Sequence, residues 1–247
     1  MEWSDDAIVL SVRAHGESSA IVEALTREHG RHAGLVRGGA SRKSKAVLQP
    51  GNAIHLVWRA RLSEQLGNYA VEAGRGRAGR ILEHRDALAG LNAFTSVTSA
   101  ALPEREPHQS VYDAGEILLE AIAEDGFAHW GPLYVRWEAG LLDELGFGLD
   151  LSQCAVTGST DDLVFVSPRT GRAVSRAAAA PYKERLLALP SFLLGSQNAT
   201  ASIEEIAAGL RLTAYFLLDR VLAPHNKPLP AARLRLAELA SRESDKS

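Results

Sequence analysis

The chain has 247 residues, 46% of them hydrophobic and 23% charged, with a formal net charge of −3; that is ample for a packed core and suggests two domains. No run reaches the about 18 consecutive apolar residues that a bilayer-spanning helix needs, and the opening Met1-Glu2-Trp3-Ser4-Asp5-Asp6 is acidic where an export signal would be positive. Cys154 is the only cysteine, which excludes an intrachain disulfide and any multi-cysteine metal cage, so a cytoplasmic protein with no membrane partner is expected.

In chain order, residues 7–13, 19–26, 33–36, 53–59 and 66–71 read as short strands, separated by His15-Gly16, Glu28-His29-Gly30, Gly38-Gly39 and Pro50-Gly51-Asn52. Five such strands with glycine and proline punctuation predict a small barrel. From Arg80 the apolar period becomes helical. A helical pair is expected over 81–91 and 93–102, stopping at Pro103. Val111, Ala114, Leu118, Ala121 and Ile122 form one buried face of the next helix. Pro132 is suited to start another, whose stripe is Leu133, Trp137, Leu141 and Leu145, with Gly146 as its stop. Ser202-Ile203-Glu204-Glu205 has the form of a capping box and opens a helix ending before Pro224. A last helix is expected over about 231–240, followed by a polar, frayed tail. Residues 147–200 read as an irregular segment with one hairpin near Leu163-Val164-Phe165-Val166. The fold class is α+β, with a β-barrel over 1–79 and a mostly helical domain over 80–247.

The charge is unevenly spread. Residues 1–80 hold 12 Lys and Arg against eight Asp and Glu, and residues 29–63 hold seven cations and no acid. These are Arg31, Arg37, Arg42, Lys43, Lys45, Arg59 and Arg61, a candidate polyanion-binding surface. The run from Val36 to Lys45 combines glycine and serine flexibility with four cations, which suits a phosphate backbone bound through counterion release. A barrel presenting cations is also how single strands are commonly held, usually with aromatic stacking added. Trp58 and Tyr69 promise little stacking, since Trp58 on an alternating strand reads as core.

Gly74-Arg75-Gly76-Arg77-Ala78-Gly79 matches a dinucleotide-binding fingerprint, but no strand and no suitably placed acid follow it. A flexible basic hinge is the better reading. The histidines show no metal-ligand spacing, Cys154 reads as a buried structural thiol, and no nucleophile elbow, phosphate loop or carboxylate pair is found. The expectation is a binding protein without catalytic residues, cofactor or metal. An RNA-binding accessory protein built on the same barrel is the alternative, separable by relative affinity for DNA and RNA strands.

The order of these pieces resembles the RecO family of DNA repair proteins. The likeness is carried by Glu2-Trp3, Ala7-Ile8-Val9-Leu10, Gly16-Glu17-Ser18-Ser19, Thr26-Arg27-Glu28-His29-Gly30-Arg31, Val36-Arg37-Gly38-Gly39-Ala40 and Leu48-Gln49-Pro50. It continues through Arg136-Trp137-Glu138, Leu141 to Asp150, and Lys227-Pro228-Leu229. The resemblance implies an N-terminal OB-fold barrel, a helical C-terminal domain and a nucleoid-associated recombination mediator. Such a protein binds single- and double-stranded DNA, anneals strands, and works with RecR to load RecA onto strands coated by single-stranded DNA-binding protein (SSB). It also implies docking of the acidic SSB tail on the helical domain, for which Arg136 and Trp137 are the candidates. Many relatives hold zinc with two cysteine pairs. Here those positions fall at Cys154 and Thr157 and near Ser175 and Ala178, so no zinc is expected.

Overall fold

The structure, a computed structural model, describes residues 1–181, 183–195 and 201–244. They form two compact units, Met1–Glu124 and Asp125–Ser247. The glycine-rich stretch at 74–79 therefore lies inside the first unit.

Five strands close the barrel in the order β1-β2-β3-β5-β4: β1 (Glu2–His15), β2 (Ser19–Thr26), β3 (Gly30–Val36), β4 (Ala53–Arg59) and β5 (Asn68–Ala73). The first half of β1 pairs with β4 and its second half with β2, across an irregularity between Val9 and Ser11. A parallel pairing of Leu35 with Asn68 and Val36 with Tyr69 completes the ring. Between β3 and β4 sits a short helix, α1 (Arg42–Val47). A closed five-stranded barrel with this insertion is the oligonucleotide/oligosaccharide-binding arrangement.

Alternation puts Ala7, Val9, Val22, Ala24, Val36, Ile54, Leu56, Trp58 and Tyr69 inside, with Leu48 closing the base. Gly34 is required by this packing, because a Cβ there would lie 2.6 Å from the Tyr69 ring. Trp58 is core, and its indole N–H donates to the Leu66 carbonyl (3.0 Å). Residues 7–10 are buried on both faces, because the helices of this unit cover the outside of β1. Those helices are α2 (Ala78–Leu82), α3 (Arg85–Ala101) and α4 (Gln109–Glu124). The expected helical pair is thus one short turn and one long helix. The break falls at Glu83-His84, where His84 turns extended.

The second unit is built on α5 (Phe127–Glu144), α7 (Ile203–Phe216) and α8 (Ala231–Ser244). Helix α5 starts five residues before Pro132, so the proline lies inside it. Glycines let α5 and α7 approach closely: a Cβ on Gly131 would be 2.9 Å from Ile206, and one on Gly209 would be 2.8 Å from Val135. The Ser202–Glu205 capping box forms as expected. Beyond Phe216 the helix widens to a π-turn over Leu217–Leu222 and tightens over Ala223–His225; Pro224 has no N–H to continue the regular ladder. Gly146, at φ +83°, ends α5 as expected.

The segment expected to be irregular carries a three-stranded sheet in the order β7-β6-β8: β6 (Leu163–Val166), β7 (Ala173–Ser175) and β8 (Leu187–Ala188), with α6 (Arg176–Ala179) after β7. Its last residues, 196–200, lie outside the described residues, as does the end of the tail expected to fray. Helix α8 itself runs to Ser244, four residues past its expected end.

Candidate nucleic-acid interface

The basic run after β3 is a fixed turn and helix, which corrects the expectation of a flexible loop. The Gly38 backbone is left-handed (φ +70°), Ala40 N–H donates to Ser18 O (3.0 Å), and Ser41 caps α1 by accepting from Ser44 N–H (3.2 Å). At the other end Asn52 donates to the Ala46 and Val47 carbonyls. No residue of α1 is buried, and Arg42, Lys43 and Lys45 project to solvent beside the exposed Arg37. None of these four forms an ion pair with a described residue. A helix tied at both ends holds its cations apart at little conformational cost on binding.

The other three members of the acid-free span are placed differently. Arg61 is exposed and lies past the end of β4, in the connection to β5. Arg59 is exposed and paired with Glu2 (2.9 Å) across β1 and β4. Arg31 turns away from solvent: it binds the Glu23 carboxylate and donates through Nε to Leu102 O (3.0 Å), with 14% of its side chain exposed.

Arg77, from the stretch expected to be a flexible hinge, is fully buried. It donates to Glu116 and to Glu120 (3.0 Å), while Asn52 accepts from its backbone N–H (2.8 Å). Burial alone would raise the Glu120 carboxyl, but hydrogen bonds from Arg75 and Arg77 bring it down to about 2. Such a buried, paired arginine is a clamp between the barrel and α4, not a hinge.

In the second unit Trp137 is core at 3% exposure, against Tyr134. Arg136 is exposed, yet its guanidinium donates to Phe192 O (2.9 Å) and lies 5.8 Å from the Phe192 ring centre. Close to Phe192 in the chain, Leu193 and Leu194 join Leu151, Ser152, Thr160 and Leu163 around an open cleft of about 400 Å³. The core of the second unit holds a pair the sequence did not signal: Glu138 of α5 and Arg233 of α8, both wholly buried, with Thr213 donating to the same carboxylate.

The four positions that the family resemblance offered for zinc do not suit a metal. The Cys154 thiol accepts from Ser175 N–H (3.3 Å) and Ser175 Oγ–H (3.4 Å), and Ala178 has no donor atom. Burial pushes the thiol up, but hydrogen bonds from Ser175 and Thr157 outweigh it and hold it near 6. These hydrogen bonds engage the lone pairs of the Cys154 sulfur, and one thiol with two hydroxyls is a poor set for zinc. Among the described residues no three His, Cys, Asp or Glu side chains gather as a metal site, and no helix is long and apolar enough to cross a membrane.

The model of the N-terminal region of recombination protein O matches residues 1–73, and that of its C-terminal region matches residues 82–229. Proteins named DNA repair protein RecO are similar over nearly the full length. The Cereibacter sphaeroides protein is 54% identical, covering 98% of this chain and 99% of its own. Those of Rhodospirillum rubrum (50%; 99% and 98%) and Phenylobacterium zucineum (54%; 98% of each) are as close. With both regions matched and half the residues shared end to end, the chain belongs to the RecO family of DNA repair and recombination proteins.

Proposed function

We propose that this chain is a recombination mediator that binds single- and double-stranded DNA through its barrel, anneals complementary strands, and with RecR helps load RecA onto SSB-coated single strands. One observation carries the DNA part of this reading. Arg37, Arg42, Lys43 and Lys45 are exposed, lack a carboxylate partner among the described residues, and sit on a fixed turn and helix of an OB barrel. Phosphates of two approaching strands repel each other, and a rigid row of cations lowers that cost so that bases can pair. Arg61 extends the row, Arg59 joins it once Glu2 is displaced, and Arg31 supports the strand behind it.

For the helical unit, the reading is that the acidic SSB tail enters the leucine-lined cleft and meets Arg136 at its rim. Trp137 then backs the site from the core without touching the tail. Charge reversal of Arg136 is expected to abolish binding of a tail peptide; unchanged binding rejects the assignment.

The deciding experiment is binding of a fluorescent single strand across a salt series, wild type beside an Arg42→Ala/Lys43→Ala/Lys45→Ala variant. Tight binding that weakens steeply with salt, and less steeply in the variant, supports the reading. If wild type fails to bind at low salt, the cations serve a protein partner instead and RecR becomes the ligand to test.

A further inference from the structure

At the start of β1 the barrel carries a stack of rings that runs outward from its core, with Trp3 packed against the core cluster. Trp3 lies parallel to His29, with centroids 4.0 Å apart and planes 6° apart, and nearly parallel to Trp58 at 5.6 Å. The rings thus run His29, Trp3, Trp58, from a side chain one-third exposed to one wholly in the core. The outermost ring is held in place. Asp5, itself buried, accepts from the Glu28 and His29 backbone N–H groups (2.8 and 3.2 Å) and is 3.0 Å from His29 Nδ1. A buried carboxylate thus fixes a part-exposed imidazole at the outer end of the stack.

We infer that His29, backed by Trp3, is a stacking station for one unpaired base of a bound single strand. The inference rests on the nucleic-acid reading above and names a contact made to the base, where the basic helix acts on the phosphates. Every base has a π-face, so aromatic rings hold single strands with little sequence preference. Charge around the stack is largely paired, Arg59 with Glu2 and Arg31 with Glu23, so this surface offers ring area more than field. A phosphate anchor is still within reach. Met1 and Ala60 exchange backbone hydrogen bonds (2.8 and 3.1 Å), which sets the exposed Arg61 beside the strand that carries Trp3. In duplex DNA the bases are stacked on one another, so the station favours single strands.

The test compares an oligothymidylate with an abasic strand of equal length, which keeps the phosphates and lacks the bases. His29→Asn retains a donor for Asp5 and removes the aromatic face; His29→Phe retains the face and removes the donor. Wild type is expected to bind the oligothymidylate more tightly than the abasic strand, and His29→Asn to lose about tenfold on the oligothymidylate alone. His29→Phe should restore the affinity, and neither variant should change the salt slope. Equal affinity of wild type for both strands, or an equal loss on both in His29→Asn, overturns the station and leaves the basic helix standing. Absence of binding to either strand at low salt overturns the DNA reading and the station with it. Circular dichroism of each variant confirms the fold, and a His29→Asn that unfolds is replaced by His29→Gln.

Discussion

In the first unit Arg42, Lys43 and Lys45 stand on a helix with no buried residue and no carboxylate partner among the described residues, whereas in the second Arg233 is sealed in the core against Glu138. The same charge serves opposite ends. An exposed cation contributes little to folding and is available to a ligand, because water already solvates it. A buried one is available to nothing outside, and the fold depends on its partner because neither charge can be left alone in a low dielectric. Arg31 sits between these extremes, turned inward onto Glu23, while Arg77 is buried as fully as Arg233 but against the part-exposed Glu116 and Glu120. Charge along a chain is therefore a poor guide to charge in space until the acids brought from elsewhere are known.

Arg233→Met should break this comparison most visibly. Removing the guanidinium strands the Glu138 carboxylate at 0% exposure, at a cost of about 3–5 kcal/mol. Urea unfolding reads the loss, and adding Glu138→Leu to the same chain should recover most of it, since a well-packed apolar pair is tolerated where a lone charge is not. If the single variant were as stable as wild type, the pair would not be buried as described.

The next effect concerns a buried group that titrates. Burial, with the nearby Arg105 charge, lowers the His32 imidazole from 6.5 to about 4, and it shares a 3.0 Å hydrogen bond with the Tyr69 hydroxyl. The unfolded chain therefore takes up a proton at higher pH than the folded barrel does. The contribution to stability is complete above pH 6.5 and is lost as the pH falls from 6.5 towards 4, by on the order of 2 kcal/mol. Unfolding free energies at pH 7 and pH 4.5 should differ less in His32→Gln than in wild type.

On the exposed side, the Arg42/Lys43/Lys45 alanine variant should unfold within about 0.5 kcal/mol of wild type. Its affinity for a single strand should nonetheless fall about tenfold or more at low salt, with the salt slope shallower by about 2. Arg31→Ala should show the reverse at smaller scale. Losing the Glu23 and Leu102 contacts costs about 1 kcal/mol of stability, and the salt slope should shift by less than about 0.7, the share of one phosphate contact. A shift as large as one full contact would return Arg31 to the DNA surface.

Several elements are legible in the sequence because their signals are local. The alternation in residues 53–59, the Ser202–Glu205 capping box and the stop at Gly146 each depend on residues within one turn or one strand. Others were misplaced for equally definite reasons. Pro132 reads as a helix start because proline is favoured there, yet Gly126 lets α5 begin earlier and the buried Phe127 and Trp130 hold that first turn. Residues 74–79 read as a hinge because glycine and arginine are usually solvated; Arg77 is instead buried by acids 39 and 43 positions further on. The Trp3–His29 stack has no linear signal at all, since its two rings are 26 positions and a hairpin apart.

Periodicity, caps and composition act over a few residues, so the five strands, most helices, the family resemblance and the acid-free basic span can be read along the chain. Which of those cations stay exposed, the hydrogen bonds of Ser175 and Thr157 to Cys154, and the buried meeting of Glu138 with Arg233 emerge only on folding. Each of those outcomes depends on desolvation and on partners drawn from distant parts of the chain, and both are set by how the chain closes on itself.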